Sequence, residues 1–281
     1  MNLIDGKKIA SEIKRDVALK VAQLFPKPGL AFILVGNNPA SQTYVLAKKK
    51  ACAEVGIESV LLELPTHTSQ SELLNHIQKL NLNPTIHAIL VQLPLPSHID
   101  EKAITLAINP DKDVDGFHPL NVGKMLLGDD SAIFPCTPRG IQVLFEKSGI
   151  QVSGKHVVIV GRSNIVGKPL AAILMQKKAN ANATVTICHS GSEHIAEITR
   201  SADILVAAVG SARFIQKQMV KVGCVVIDVG INRAQGKIVG DVDFEHVAPL
   251  TSYITPVPGG VGPMTIAMLL QNTLLCYKRL Q

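Results

Sequence analysis

The chain has no tryptophan, and aromatic residues fill only 4% of its 281 positions. Its bulk is aliphatic, 47% hydrophobic against 18% charged, the balance of α/β proteins rich in Val, Ile, Leu and Ala, which excludes a disordered chain. Long apolar runs are missing as well. No stretch approaches the ~18 residues of a spanning helix. The N-terminal MNLIDGKKIASEIKRDV interleaves charges with apolar residues and lacks the apolar core of a signal peptide. No membrane is expected as a partner, and no export.

Cysteine is scarce. Cys52, Cys136, Cys188, Cys224 and Cys276 are odd in number and show no C-x-x-C spacing, which argues against a disulfide framework and fits a reducing cytoplasm. The nine histidines form no H-E-x-x-H or related ligand spacing, so no metal is expected. A G-x-S-x-G elbow, a Walker loop and a fixed-period repeat are also absent. The 28 Lys and Arg exceed the 22 Asp and Glu by six, but they are scattered along the chain. That pattern argues against nucleic acid as a partner and suits anionic small ligands.

What is present is an alternation of apolar strands and amphipathic helices, with length for two domains. An amphipathic start near Leu3 to Leu24 precedes the strand GLAFILVG, a helix from Ser41, and the strands ESVLLELP and HAILVQLP around the serine-capped helix SQSELLNHIQKLN. Prolines, a glycine and aspartates interrupt the pattern between Pro94 and Asn121, where a domain boundary is expected. A second series then runs through HVVIVG, ATVTICHS, DILVAAVG and CVVIDVGI, the pattern of a doubly wound nucleotide-binding sheet. A closing helix is expected from about Met264.

In VVIVGRSNIVGKPL a strand enters a glycine turn and then a helix, the context of a dinucleotide pyrophosphate site, although Gly161 and Gly167 are one residue further apart than the usual fingerprint sets them. The next strand ends in His189 and Ser190, with no acid for a ribose 2′-hydroxyl. A 2′-phosphate suits the place better, since Arg162 can pair with it and Ser190 can donate a hydrogen bond. NADP is therefore favoured over NAD, with Arg162 as a solvated surface charge the alternative.

Tyr44 and Lys48, four apart, share one face of a helix. With Lys49 and Lys50 following, a solvated basic face explains the spacing equally. Gln92, after HAILV, and Asp115, in DKDVDGFHP, lie at strand ends, where ligands of open α/β sheets collect. A turn-forming aspartate before glycine is the other reading of Asp115.

Taken together, VGNNPASQTYVLAKKKACAEVGI, VQLPLP, DKDVDGFHP, PCTPRG, VVIVGRSNIVGKP, DVGINR and TPVPGGVGPMT resemble the bifunctional methylenetetrahydrofolate dehydrogenase/methenyltetrahydrofolate cyclohydrolases, in order and over nearly the whole chain. The resemblance implies an α/β fold of two domains: a folate-binding catalytic domain of residues 1–118 joined by a C-terminal helix, 262–281, that packs back on it, and a Rossmann-type NADP domain of 119–261. It implies tetrahydrofolate derivatives as substrates and a cytoplasmic homodimer formed through the second domain. Lys48 is then the catalytic lysine, Tyr44 stacks on the folate, Gln92 holds the lysine, and Asp115 hydrogen-bonds the pterin. NADP falls to Gly161, Arg162, Ser163, Ser190 and Ile231, while Gly262 and Pro263 border the folate. One departure stands out: after CHS this chain has Gly191 and Ser192, where members of the family often carry a basic residue and a threonine. The lost positive charge weakens the preference for NADP.

In the resembled chemistry a hydride leaves 5,10-methylenetetrahydrofolate for the nicotinamide, and water then opens the methenyl product to 10-formyltetrahydrofolate. Positioning carries the first step. The second needs a base, for which burial and a cationic product are expected to bring the Lys48 amine toward neutrality.

Overall fold

GLAFILV has no polar position to turn toward water, and all seven residues of the strand Gly29–Val35 are buried. It is the centre of a three-stranded parallel sheet, with Glu58–Leu64 on one side and Ala88–Val91 on the other. The computed structural model describes residues 1–234 and 236–281. They divide into a three-stranded unit, Glu12–Phe134 with Ile266–Gln281, and a six-stranded unit, Met1–Ser11 with Pro135–Thr265.

In the three-stranded unit the helix Gln70–Leu82 begins with a capping box: Ser69 Oγ accepts the Glu72 N–H, and the Glu72 carboxylate accepts the Ser69 N–H. Its Leu73 and Ile77, four apart, are fully buried against Ile33 and Ile89 in the core of that unit. The final helix, Val261–Arg279, starts three residues before the expected Met264. Pro263 therefore falls in its first turn, where a missing N–H costs no hydrogen bond. From Ile266 onward the helix belongs to this unit. Asn272 Nδ2 donates to the carbonyls of Val114 and Phe134, both at 2.9 Å, and the Tyr277 ring lies 4.7 Å from that of His87.

Residues 119–134 also go with this unit, beyond the boundary at 118 read from the sequence. Buried Asn121 explains it: its Nδ2 donates to Pro110 O and to Asp113 Oδ2, both at 2.9 Å, and its Oδ1 accepts the Ile133 N–H. No local sequence pattern announces such a tie.

The six-stranded sheet runs Asn2–Leu3, Tyr253–Ile254, Val225–Asp228, Ile204–Ala207, His156–Val160 and Thr184–Cys188, with every neighbouring pair parallel. The first two strands join residues some 250 positions apart, which is why the N-terminal residues belong here. The order reverses on either side of His156–Val160, and such a switch point opens a crevice at the carboxyl ends of the strands. Val158, Val160, Leu205, Ala207 and Val226 pack beneath it, each almost wholly buried. Burying an aliphatic side chain of this kind stabilises by ~1.5–3 kcal/mol, so the turns above stand on a firm base. An antiparallel hairpin, Asn232–Ala234 with Lys237–Val239, extends from the same unit. Among the described residues no helix is long and apolar enough to cross a membrane.

Candidate active site

Tyr44 and Lys48 sit one turn apart on the helix Pro39–Glu54 of the three-stranded unit. The helix starts ahead of the expected Ser41 because Asn38 Oδ1 accepts the N–H groups of Ala40 and Ser41, at 3.0 and 3.1 Å, with Pro39 in the first position. Gln92 follows the strand Ala88–Val91 and continues its ladder, its N–H donating to Ile33 O at 2.9 Å. Its side chain is held at both ends: Nε2 donates to Leu93 O at 2.6 Å, and Oε1 accepts from Lys48 Nζ at 3.1 Å. Lys48 and Gln92 are half-buried, and Tyr44 is 43% exposed.

Asp115 lies in the turn after Asp113, which bridges to Ile89 beside the sheet. Burial pushes the Asp115 carboxyl up to about 6, against the pull of the Lys48 charge and with a smaller push from Asp113. Lys48, Gln92 and Asp115 are thus one cluster, and Tyr44 stands on the same helix as the lysine. A small pocket lined by Val91, Leu93, Ile104 and Phe117 reaches Asp113 and Asp115. Asp113 escaped the sequence reading. It is buried, and its Oδ2 accepts the His118 N–H at 2.8 Å and Asn121 Nδ2 at 2.9 Å, bonds that shape the turn presenting Asp115. Its signal in the sequence was the D-x-D spacing itself, with one acid turned inward.

In the six-stranded unit Gly161 follows the strand His156–Val160 at the switch point. Its φ of +129° suits glycine, and a Cβ there would meet Ala208 O at 2.2 Å. A Cβ on Gly167 would meet Gly161 O at 2.0 Å. The two glycines therefore let the turn fold tightly onto the start of the helix Gly167–Leu174, whose N-terminal end favours an anion. Ser163 Oγ accepts the Val166 N–H at 3.1 Å within the turn, while Arg162 and Ser163 face solvent.

Ser190 is exposed in a turn after Thr184–Cys188. That turn is closed by the His189 N–H donating to Ser192 Oγ at 3.0 Å and the Gly191 N–H to His189 Nδ1 at 3.1 Å. Gly191 and Ser192 thus shape the turn. Ile231 is 49% exposed after Val225–Asp228. A Cβ on Gly262 would lie 3.7 Å from Ile231 Cδ1. Hence Gly262, beside Pro263 in the first turn of the last helix, adjoins Ile231. A tight glycine turn, an exposed arginine and the switch-point crevice fit a phosphorylated dinucleotide. Among the described residues no group of three or more His, Cys, Asp or Glu side chains is placed to hold a metal ion.

Two family profiles match the chain: the catalytic domain of tetrahydrofolate dehydrogenase/cyclohydrolase over residues 4–115, and the NAD(P)-binding domain of the same family over residues 135–281. The bifunctional protein FolD of Prosthecochloris aestuarii is 55% identical, over 99% of this chain and 99% of its own. The crystal structure of the bifunctional methylenetetrahydrofolate dehydrogenase/cyclohydrolase FolD of Campylobacter jejuni superposes with a TM-score of 0.96 at 50% identity, covering 99% of each chain. The Trypanosoma brucei methylenetetrahydrofolate dehydrogenase-cyclohydrolase, solved with NADP and an inhibitor, gives 0.92 at 40% identity over 99% of this chain and 97% of that one.

Proposed function

From a chain that belongs to the tetrahydrofolate dehydrogenase/cyclohydrolase family, we propose an enzyme that oxidises 5,10-methylenetetrahydrofolate to 5,10-methenyltetrahydrofolate with NADP and hydrolyses the product to 10-formyltetrahydrofolate. The observation that carries the reading is the match of both halves, 4–115 to the catalytic domain and 135–281 to the NAD(P)-binding domain.

The chemistry that NADP supplies when bound is hydride acceptance at the nicotinamide ring. Gly161 and the N–H groups that open the helix Gly167–Leu174 would hold its pyrophosphate, and Arg162 and Ser190 its 2′-phosphate, with Ser163 in the turn and Ile231 as further NADP contacts. On the folate side Tyr44 offers an exposed ring for stacking, and the family likeness supports Gly262 and Pro263 as folate contacts. Above pH 6 Asp115 is largely a carboxylate, able to accept from the N–H donors of a pterin.

For the hydrolysis Lys48 acts as the base. Its amine gives one hydrogen to Gln92 Oε1, which fixes the direction of the remaining positions on nitrogen. In the neutral form the lone pair takes the proton of the water that adds to the methenyl carbon. Gln92 is itself fixed by Leu93 and Ile33, so the lysine is held by a rigid partner. The family likeness further supports a cytoplasmic location and a homodimer, the second of which sedimentation velocity on the purified chain tests.

The reading as a whole is tested by incubating the protein with 5,10-methylenetetrahydrofolate and NADP, with NAD in parallel, and following NADPH formation and then decay of the methenyl absorbance. NADPH without methenyl decay leaves a dehydrogenase only, and no absorbance change with either nucleotide overturns the reading.

A further inference from the structure

Two aspartates with no role so far lie side by side inside the six-stranded unit. Asp228, 2% exposed, ends the strand Val225–Asp228, and Asp241, fully buried, follows the hairpin. Each sits against a glycine one or two residues from the other. A Cβ on Gly240 would come within 1.8 Å of Asp228 Oδ2, and one on Gly230 within 2.2 Å of Asp241 Oδ1. Only glycine fits either place.

The two carboxylates do different work. Asp228 Oδ1 accepts the N–H groups of Gly230 and Asp241, at 3.0 and 2.8 Å, and Oδ2 accepts that of Val242 at 3.0 Å. It fixes the backbone that carries Asp241. Asp241 reaches further: Oδ2 accepts the N–H groups of Val209 and Gly210, at 2.7 and 2.9 Å, and Oδ1 accepts Asn232 Nδ2 at 2.8 Å.

These destinations border the nucleotide crevice. Val209 and Gly210 follow Ile204–Ala207, the strand across the switch point from His156–Val160, and Ala208 just before them is the residue whose carbonyl Gly161 packs against. Asn232 is next to Ile231. One buried side chain, accepting hydrogen bonds from three N–H donors, thereby ties the loop after Ile204–Ala207 to the first residue of the hairpin strand Asn232–Ala234. A buried polar side chain is costly unless its hydrogen bonds are made, and here they are made where a loop and the hairpin meet at the carboxyl edge of the sheet.

We propose that Asp241 is a positioning residue for the dinucleotide site, holding the loop 208–210 against the segment 229–232 in the shape that admits NADP before it binds. The proposal rests on the NADP reading above. In the nucleotide-free parent the amides of Val209 and Gly210 are then protected from hydrogen exchange at least a hundredfold over an unstructured chain. In fluorescence titrations with NADPH, Asp241→Ala weakens binding about tenfold or more. Asp241→Asn, which keeps an oxygen for Val209 and Gly210 while Asn232 turns its amide, stays within about threefold of the parent. In steady-state kinetics the loss in Asp241→Ala falls on the KM for NADP, with turnover at saturating NADP changed less than threefold.

Unprotected amides in the free parent, or a folded Asp241→Ala that binds NADPH as tightly as the parent, overturns the inference while leaving the NADP reading intact. A parent that binds no NADPH overturns both. Where Asp241→Ala does not fold, the exchange measurement on the parent decides alone.

Discussion

The three-stranded unit and the six-stranded unit prepare for their ligands by opposite means. In the first, side chains carry the chemistry: the Lys48 amine on Gln92 Oε1, and Asp115 with a carboxyl raised by burial. In the second, the backbone does, through glycines that let the main chain close on itself to within 2.2 Å of where a Cβ would stand. Proton transfer needs a group of particular basicity, whereas holding a pyrophosphate needs bare N–H groups and room. The largest test of this contrast is Lys48→Met, which removes the base and keeps the bulk. Cyclohydrolase turnover should fall by ~10²–10⁴. A variant that hydrolyses methenyltetrahydrofolate at the parent rate would remove Lys48 from the mechanism.

On the other side, Gly161→Ala places a methyl group against Ala208 O at a φ of +129°. The turn must open, and NADPH affinity in a fluorescence titration should drop about a hundredfold, the scale of a lost preorganised anion site. Unchanged affinity would mean that the turn does not carry the phosphates.

How much of this could be read beforehand follows the same division. Strands such as Gly29–Val35 and His156–Val160 were legible because a wholly apolar run has few other places to go. The shared face of Tyr44 and Lys48 and the tight Gly161 turn were legible because helix periodicity and glycine spacing are local, whereas the roles of Tyr44 and Lys48 came from the family resemblance alone. Asp241 was not, since its partners Val209, Gly210 and Asn232 are brought to it only by the sheet. The pairing of Asn2–Leu3 with Tyr253–Ile254 was hidden for the same reason. Helix starts slipped by two or three residues where a cap or proline decided them: Asn38 ahead of Ser41, Pro263 ahead of Met264.

The carboxylate in the side-chain unit gives a smaller test. Because the Asp115 carboxyl in the folded protein is raised from 3.8 to about 6, the folded state binds the proton more tightly than the unfolded chain. That stabilisation is complete below about pH 4 and is lost as pH rises through 6. Discounted for the partial exposure of the group, it amounts to about 2 kcal/mol. Urea unfolding at pH 4 and pH 7 should show the parent losing that much more stability than Asp115→Asn. Parallel losses in the two proteins would place the raised carboxyl elsewhere.

Arg162 is the exception in the backbone unit, a side chain recruited for a charge. Exposed as it is, its pairing with a 2′-phosphate is worth less than a buried ion pair, and Arg162→Ala should cost about tenfold in kcat/KM for NADP. The same parameter for NAD should change less than twofold. An equal loss with both nucleotides would assign Arg162 to the pyrophosphate and leave the 2′-phosphate to Ser190.

The smallest effect separates one glycine from another. Gly123 lies inside the helix Pro119–Leu127 of the three-stranded unit, and a Cβ there would meet nothing within 4 Å. It has neither the positive φ nor the close approach of Gly161. A glycine in such a place costs the helix backbone entropy without return, so Gly123→Ala should stabilise the protein by ~0.5–1 kcal/mol. Chemical denaturation reads this as a higher midpoint at unchanged slope, with both activities at parent level. Destabilisation instead would show that the contrast between the units does not extend to their glycines, and that Gly123, too, answers to a neighbour.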